Sequence, residues 1–285
     1  MVRTSAVAVW TVPVGSVTRT VASRFTTAGG WGPPQPIDNG AGNASSAVIA
    51  MDANGNATAI FNQTDGTRFN MSANRFTANQ GWGAPTLIET SDGDAFVPNV
   101  AADSNGNAIA VWHQSAGANS HILSNRFTFG GTWGNAQAIG APLGNADPKM
   151  AVDAAGDVAA VWYGLVNGRR FIFSNRFTPS AGWGVPAQIE THTGGDAILP
   201  SIALDRSGNA LAVWQQEDDG IRSNAYAARF TVAGGWTTPQ ALKINTGFTG
   251  SGGLHVVTDA RGDSLAVWSQ QVGSGMFSIL ADRFE

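Results

Sequence analysis

The chain has 285 residues and a formal net charge of -4, with 16 Lys and Arg against 20 Asp and Glu. Only two lysines occur, Lys149 and Lys243, and Arg169-Arg170 is the single basic pair. That is too little to neutralise a phosphate backbone, so no nucleic-acid partner is expected. The lack of cysteine removes disulfides and thiolate metal sites. The longest apolar runs, such as Ala6–Trp10, fall far short of a membrane span, so no membrane insertion is expected.

In chain order, the first element is the apolar cluster Ala6–Trp10, which recurs at Ala57–Phe61, Ala108–Trp112, Val158–Trp162, Ala210–Trp214 and Ser264–Trp268. Next comes Arg-Phe, at Arg24, Arg75, Arg126, Arg176, Arg229 and Arg283, each followed by Phe. Then a Trp follows a Gly or Thr, at Trp31, Trp82, Trp133, Trp183 and Trp236. An Asp-x-x-Gly turn completes the unit, at Asp52, Asp103, Asp153, Asp205 and Asp259. All ten tryptophans fall on two of these landmarks, which defines a repeat of about 51 residues.

Residues 97–141 show how one unit folds. Val97–Asp103 reads as a strand, Asp103–Asn107 as a tight turn with Gly106 at the φ > 0 position, and Ala108–Gln114 as the second strand. His121–Thr128 is the third strand, and Gly130-Gly131 turns the chain into the fourth, Trp133–Ile139. The second strand is apolar on both faces, with Ile109 and Val111 on one and Ala108, Ala110 and Trp112 on the other. A strand buried on both sides belongs to a sheet packed between sheets. No stretch keeps a helical apolar period.

The expected fold is therefore all-β: a β-propeller of about six four-stranded blades in one domain, 1–285. The units run about 1–39, 40–90, 91–141, 142–191, 192–244 and 245–285. The second and third strands occur six times, the first and fourth five. Five complete blades plus a terminal hairpin, or a piece that closes only with a partner copy, also satisfy that count.

The string Asp-x-x-Gly-Asn-Ala-x-Ala-Val-Trp at Asp103–Trp112, with Asn-Arg-Phe-Thr at Asn125–Thr128 and Asn175–Thr178, resembles tandem repeats of uncharacterised secreted bacterial proteins. That resemblance implies a propeller and a secreted, periplasmic or cell-surface setting, with a leader absent from this sequence. The Asp turn also resembles the Asp-box of sialidases, which would imply an arginine triad and a tyrosine nucleophile, and the tyrosines here are Tyr163 and Tyr226. The spacing departs from that pattern, since Gly156 stands three residues after Asp153 and Trp162 nine after it. A looser resemblance is to propeller lectins, which implies sugar sites between neighbouring blades built from Trp, Arg and an acidic residue. The acidic partner does not recur: Glu89 and Glu190 share a repeat position that Gly140 takes in another unit.

The ligand-binding candidates are Trp31, Trp82, Trp133, Trp183 and Trp236, whose indoles could stack on sugar, and Arg24, Arg75, Arg126, Arg176 and Arg229. A structural role competes at each: the Arg stem packing on a Trp, the Trp packing in an outer strand, the Asp capping its turn. The loop motif Gly-Asp/Asn-Ala at Gly42, Gly93, Gly144 and Gly195 suggests a shared conformation, and Glu217-Asp218-Asp219 a solvated tip. His113, His121, His192 and His255 sit at unrelated repeat positions, so no metal and no cofactor are expected. Chemistry in a propeller should break the repeat, and here the peculiar residues are shared. The reading is a chain that is not an enzyme: a multivalent module binding carbohydrate at repeated sites, with a glycan or cell-surface polysaccharide as partner. A protein-interaction scaffold and a glycan-active hydrolase are the alternatives. The chain is expected to be a monomer, or an oligomer joined through open terminal blades.

Overall fold

A computed structural model describes residues 5–116, 119–140, 144, 147–191, 194–218, 223–243, 249–272 and 275–285. Every regular element among them is a strand, and the strands form six antiparallel sheets in sequence order. We name the repeat positions a to d. Sheet 1 has b (Ser5–Val14), c (Val17–Thr26) and a broken d (Gly30–Trp31, Gln35–Pro36). Sheet 2 is complete, with a (Ala44–Met51), b (Ala57–Thr64), c (Phe69–Thr77) and d (Gly81–Trp82, Thr86–Leu87). Sheets 3, 4 and 5 repeat it with a-strands Ala95–Ala102, Lys149–Val152 and Ala197–Leu204. Sheet 6 has a (Thr249–Thr258), b (Ser264–Val272) and c (Met276–Phe284).

The a–b hairpins form for the reason the sequence suggests. Asp103 Oδ1 accepts the backbone N–H groups of Asn105 and Asn107, both at 2.9 Å, and Oδ2 accepts Asn107 Nδ2 at 2.6 Å. Gly106 takes φ 87°, a region costly for any residue with a Cβ. The carboxylate thus pairs donors that the tight turn leaves without strand partners.

The fourth strand differs from expectation. Instead of running unbroken, it touches the c-strand in two short pieces, as at Gly81–Trp82 and Thr86–Leu87. Pro85 between them has no N–H to give the ladder, so pairing lapses there.

The chain divides into two compact units, Met1–Ala138 with sheets 1 to 3 and Ile139–Glu285 with sheets 4 to 6. Within each, sheets stack face to face. Opposed residues share a face, so the c-strand register puts Ile60, Ala73 and Met71 on the back of sheet 2 and Phe61 on its front. In the first unit that back face packs against Ala110, Trp112 and Leu123 of sheet 3. In the second, Ala159, Val161 and Ile172 of sheet 4 meet Ala212 and Trp214 of sheet 5. Ala108, Ile109, Ala110, Val111 and Trp112 are all buried, as the two-faced apolar pattern requires.

A polar staple reinforces the stacking of sheets 1 to 3. Asn125 Nδ2 donates to Ile88 O of the preceding sheet at 2.7 Å and to Gly134 O of its own d-strand at 2.9 Å. Asn74 bridges Ile37 O and Gly83 O in the same way. Removing the amide strands two buried carbonyls, each costing about 1–2 kcal/mol. Asn125→Ala should therefore lower unfolding free energy by about 2–4 kcal/mol in a urea titration, with an unchanged slope.

Candidate functional site

Within each unit the recurring Arg, Phe and Trp pack on one another. Three of the Arg point from the back of their sheet onto the Phe of the next: Arg24 lies 5.1 Å from the Phe76 ring centroid, Arg75 4.0 Å from Phe127 and Arg176 4.1 Å from Phe230. That Phe meets the Trp of its own sheet, as in Phe76–Trp82 at 5.6 Å, Phe127–Trp133 at 5.9 Å, Phe177–Trp183 at 5.7 Å and Phe230–Trp236 at 5.5 Å. The expected Arg-on-Trp packing is thus corrected to Arg on Phe. The phenyl ring is the element both partners can reach, one through its face and one through its edge.

The arginine forks are held as well. Arg75 Nη1 donates to Thr58 Oγ1 at 2.8 Å, Arg176 Nη1 to Gly208 O at 2.5 Å, and Arg229 Nη1 to Glu285 O at 2.9 Å. Arg126 lies half-buried beside Thr128. Burial pulls the Arg75 and Arg176 pKa values down, with Asp52 opposing the shift at Arg75 and Asp157, Asp153 and Asp205 opposing it at Arg176.

The five candidate tryptophans are neither core nor free. Trp31 is 57% exposed, while Trp82, Trp133, Trp183 and Trp236 are half-buried with one ring edge on Phe. Beside Trp82 a groove of 570 Å³ opens between sheets 2 and 3, lined by Arg75, Gln80, Trp82, Phe127 and Phe129 with Gly81, Gly130 and Gly131. That volume suits a small ligand. Phe129 is 55% exposed and has no counterpart, since the same turn position holds Ala78 in sheet 2, Pro179 in sheet 4 and Val232 in sheet 5. The sequence reading missed this residue, and its signal was that one departure from the repeat.

A second polar cluster lies at the other end of the strands. Asp38, Glu89 and Glu190 occupy one repeat position with fully buried side chains, and each faces an arginine at the start of its c-strand. The distances are 2.6 Å for Arg19–Asp38, 3.6 Å for Arg68–Glu89 and 3.2 Å for Arg169–Glu190. The signal in the sequence was an Arg ahead of each carboxylate by a similar distance, 19 residues from Arg19 to Asp38 and 21 from Arg68 to Glu89 and from Arg169 to Glu190. Burial raises the Glu89 pKa, only partly opposed by Arg68. Gly140 replaces the carboxylate in sheet 3 because a Cβ there would lie 2.7 Å from the Trp162 ring.

The remaining candidates resolve into structure. Asp94 and Asp196 accept the backbone N–H of Phe69 and Arg170, so the Gly-Asp-Ala loop ties the d–a connection to the c-strand. Gly144 is described, while the Asn145 and Ala146 that follow it lie outside the described residues. Glu217-Asp218 is not a solvated tip: Glu217 accepts the Asp196 N–H, and Asp218 accepts from Asn224 and Tyr226. Burial and that Asp218 bond push the Tyr226 hydroxyl up to about 12. Burial also lowers the His113 pKa. His192 and Asp219 lie outside the described residues. Among the described residues no three His, Asp or Glu side chains gather as a metal site, and no helix is long and apolar enough to cross a membrane.

No protein-family model matches the chain, and no curated protein matches it in sequence. Solved structures do match. The polysaccharide lyase Uly1 aligns with a TM-score of 0.55 at 10% identity, over 99% of this chain and 88% of that one. The intramolecular trans-sialidase of Ruminococcus gnavus aligns with a TM-score of 0.53 at 9% identity, over 93% and 86%. The α-L-arabinanase of Penicillium chrysogenum gives 0.52 at 11%, over 82% and 80%. At such identities the likeness establishes the fold: the chain is a β-propeller. It also corrects the expectation that the chain is not an enzyme. Proteins with this architecture include a lyase, a trans-sialidase and an arabinanase, so regularity of the blades is no argument against catalysis.

The buried Glu89 makes a pH prediction. A carboxyl whose folded pKa is raised holds its proton longer in the folded state, so stability falls as pH climbs above the ordinary glutamate range of about 4–5. Glu89→Gln should remove that fall. Its stability should match wild type most closely below pH ~4.5 and gain on it towards neutrality, measured by thermal melts across pH. Parallel melting curves would show that Glu89 titrates normally.

Proposed function

We propose that this propeller recognises carbohydrate, and that the groove between sheets 2 and 3 is its principal site. The observation that carries the reading is the pair of partly exposed aromatics, Trp82 and Phe129, flanking one groove with Arg75 and Gln80. Flat apolar rings suit the C–H faces of a pyranose, while the polar side chains suit its hydroxyls. The glycine turns at Gly81 and Gly130-Gly131 keep the entrance free of side chains. Trp31, Trp133, Trp183 and Trp236 offer weaker versions of the same contact and would act as added subsites for a polymer.

Carbohydrate as the ligand class is supported by the solved propellers the chain resembles, named as a polysaccharide lyase, a trans-sialidase and an arabinanase. The role belongs outside the cytoplasm, at the cell surface or beyond. The low lysine count and the wealth of Gly, Asn, Ser and Thr agree with that setting.

A dense glycan array followed by calorimetry on the hits tests the reading. Trp82→Ala and Phe129→Ala should each weaken binding about five- to tenfold, the loss of one aromatic contact of ~1–1.5 kcal/mol. Trp236→Ala, on a turn with no exposed aromatic neighbour, should change it less than twofold. An array with no hit at high protein density sinks the carbohydrate reading, and an equal loss at Trp236 sinks the choice of groove.

A further inference from the structure

The groove beside Trp82 has a polarity that the repeat does not dictate. Its polar side chains are Arg75, Thr77 and Gln80, and among the described residues no Asp or Glu lines it. Gln80 is exposed and departs from the repeat, since the same turn position holds Gly29, Gly131, Ala181 and Gly234 in other sheets. Thr77 Oγ1 donates to Gln80 Oε1 at 3.4 Å, which leaves the amide Nε2 as a donor.

Arg75 brings a positive charge to this groove with little to cancel it. Among the described residues, Asp52 is the carboxylate whose charge reaches it. That carboxylate is buried and spent on its own hairpin: Oδ1 accepts the Asn54 and Asn56 N–H groups at 2.8 and 2.9 Å, and Oδ2 accepts Asn56 Nδ2 at 2.7 Å. The boundary between sheets 4 and 5 differs, because three carboxylates, Asp157, Asp153 and Asp205, act on Arg176. Asp157 stands there in the repeat position of Asn56. Thr58 takes Nη1 of Arg75, and among the described residues no protein group bonds Nε or Nη2.

A sugar hydroxyl brings a proton as well as lone pairs, so a site for neutral sugar gains from acidic acceptors. A carboxylate brings lone pairs alone and asks only for donors. The guanidinium fork fits two carboxylate oxygens at once, and hydrogen bonds to a charged partner are the strong ones. We propose that the groove selects a pyranose bearing a carboxylate, its ring stacked on Trp82 and its carboxylate received by Arg75 and Gln80; this rests on the carbohydrate reading of the groove and narrows its ligand class. Phe129 closes the opposite side of the groove, where the ring of the sugar or of its neighbour along a polymer would lie.

The test is an array of uronic- and sialic-acid oligosaccharides, each printed beside its carboxyl-reduced counterpart, with calorimetry on the pairs that bind. The carboxylated member should bind about ten- to hundredfold more tightly than the reduced one, the loss of a charge-assisted hydrogen bond. Gln80→Glu, at an exposed position, should weaken the acidic hits about tenfold through like charge while leaving the melting temperature and any neutral hit unchanged. Gln80→Lys should strengthen the acidic hits. Equal binding of both members of a pair, still weakened by Trp82→Ala, overturns the acidic assignment and leaves the carbohydrate reading standing. Acidic hits indifferent to both Gln80→Glu and Trp82→Ala overturn it as well, because the carboxylate then sits elsewhere. An array without any hit removes both readings together.

Discussion

Burial of the b-strand on both faces is the constraint on which the other features depend. A strand such as Ala108–Ala116, with Ile109 and Val111 behind and Trp112 in front, cannot stand in a sheet with one wet face. Each sheet must therefore receive a neighbour, and the receiving surfaces must match in shape. The repeat answers this with one large residue, Trp or Phe, on the front and smaller ones, Ala, Val and Ile, on the back. The pairing of Met71 with Trp112 and of Ile172 with Trp214 is that answer in side chains.

The polar residues serve the same stack from its two ends. At the turn end, Asp caps the hairpin, Asn staples carbonyls across the sheet boundary and Arg leans onto the next phenyl ring. At the other end, buried carboxylates hold arginines at the start of the c-strands. Sheet edges are where water would otherwise enter, and these groups close them with hydrogen bonds and ion pairs rather than apolar bulk. Charge is scarce on this chain, yet much of what there is sits in these structural pairs.

Function enters where the regularity lapses. The ladder of Arg, Phe and Trp occupies most of the boundary at the turn end, and a groove opens where Phe129 replaces a small residue and Gly130-Gly131 follows.

The sequence by itself determined the strands, the turns and the stacking. Period 51, two-sided apolar b-strands and Asp-x-x-Gly turns leave little else, because local turn chemistry and alternation are written in adjacent residues. It could not determine which ring each Arg meets, nor that Arg68 and Glu89 pair, since those partners lie far apart in sequence and only folding sets their distance. Trp82 illustrates the division. The sequence marked it as a recurring, partly buried ring, and the tertiary structure decided that Phe129, 47 residues away, stands across a groove from it.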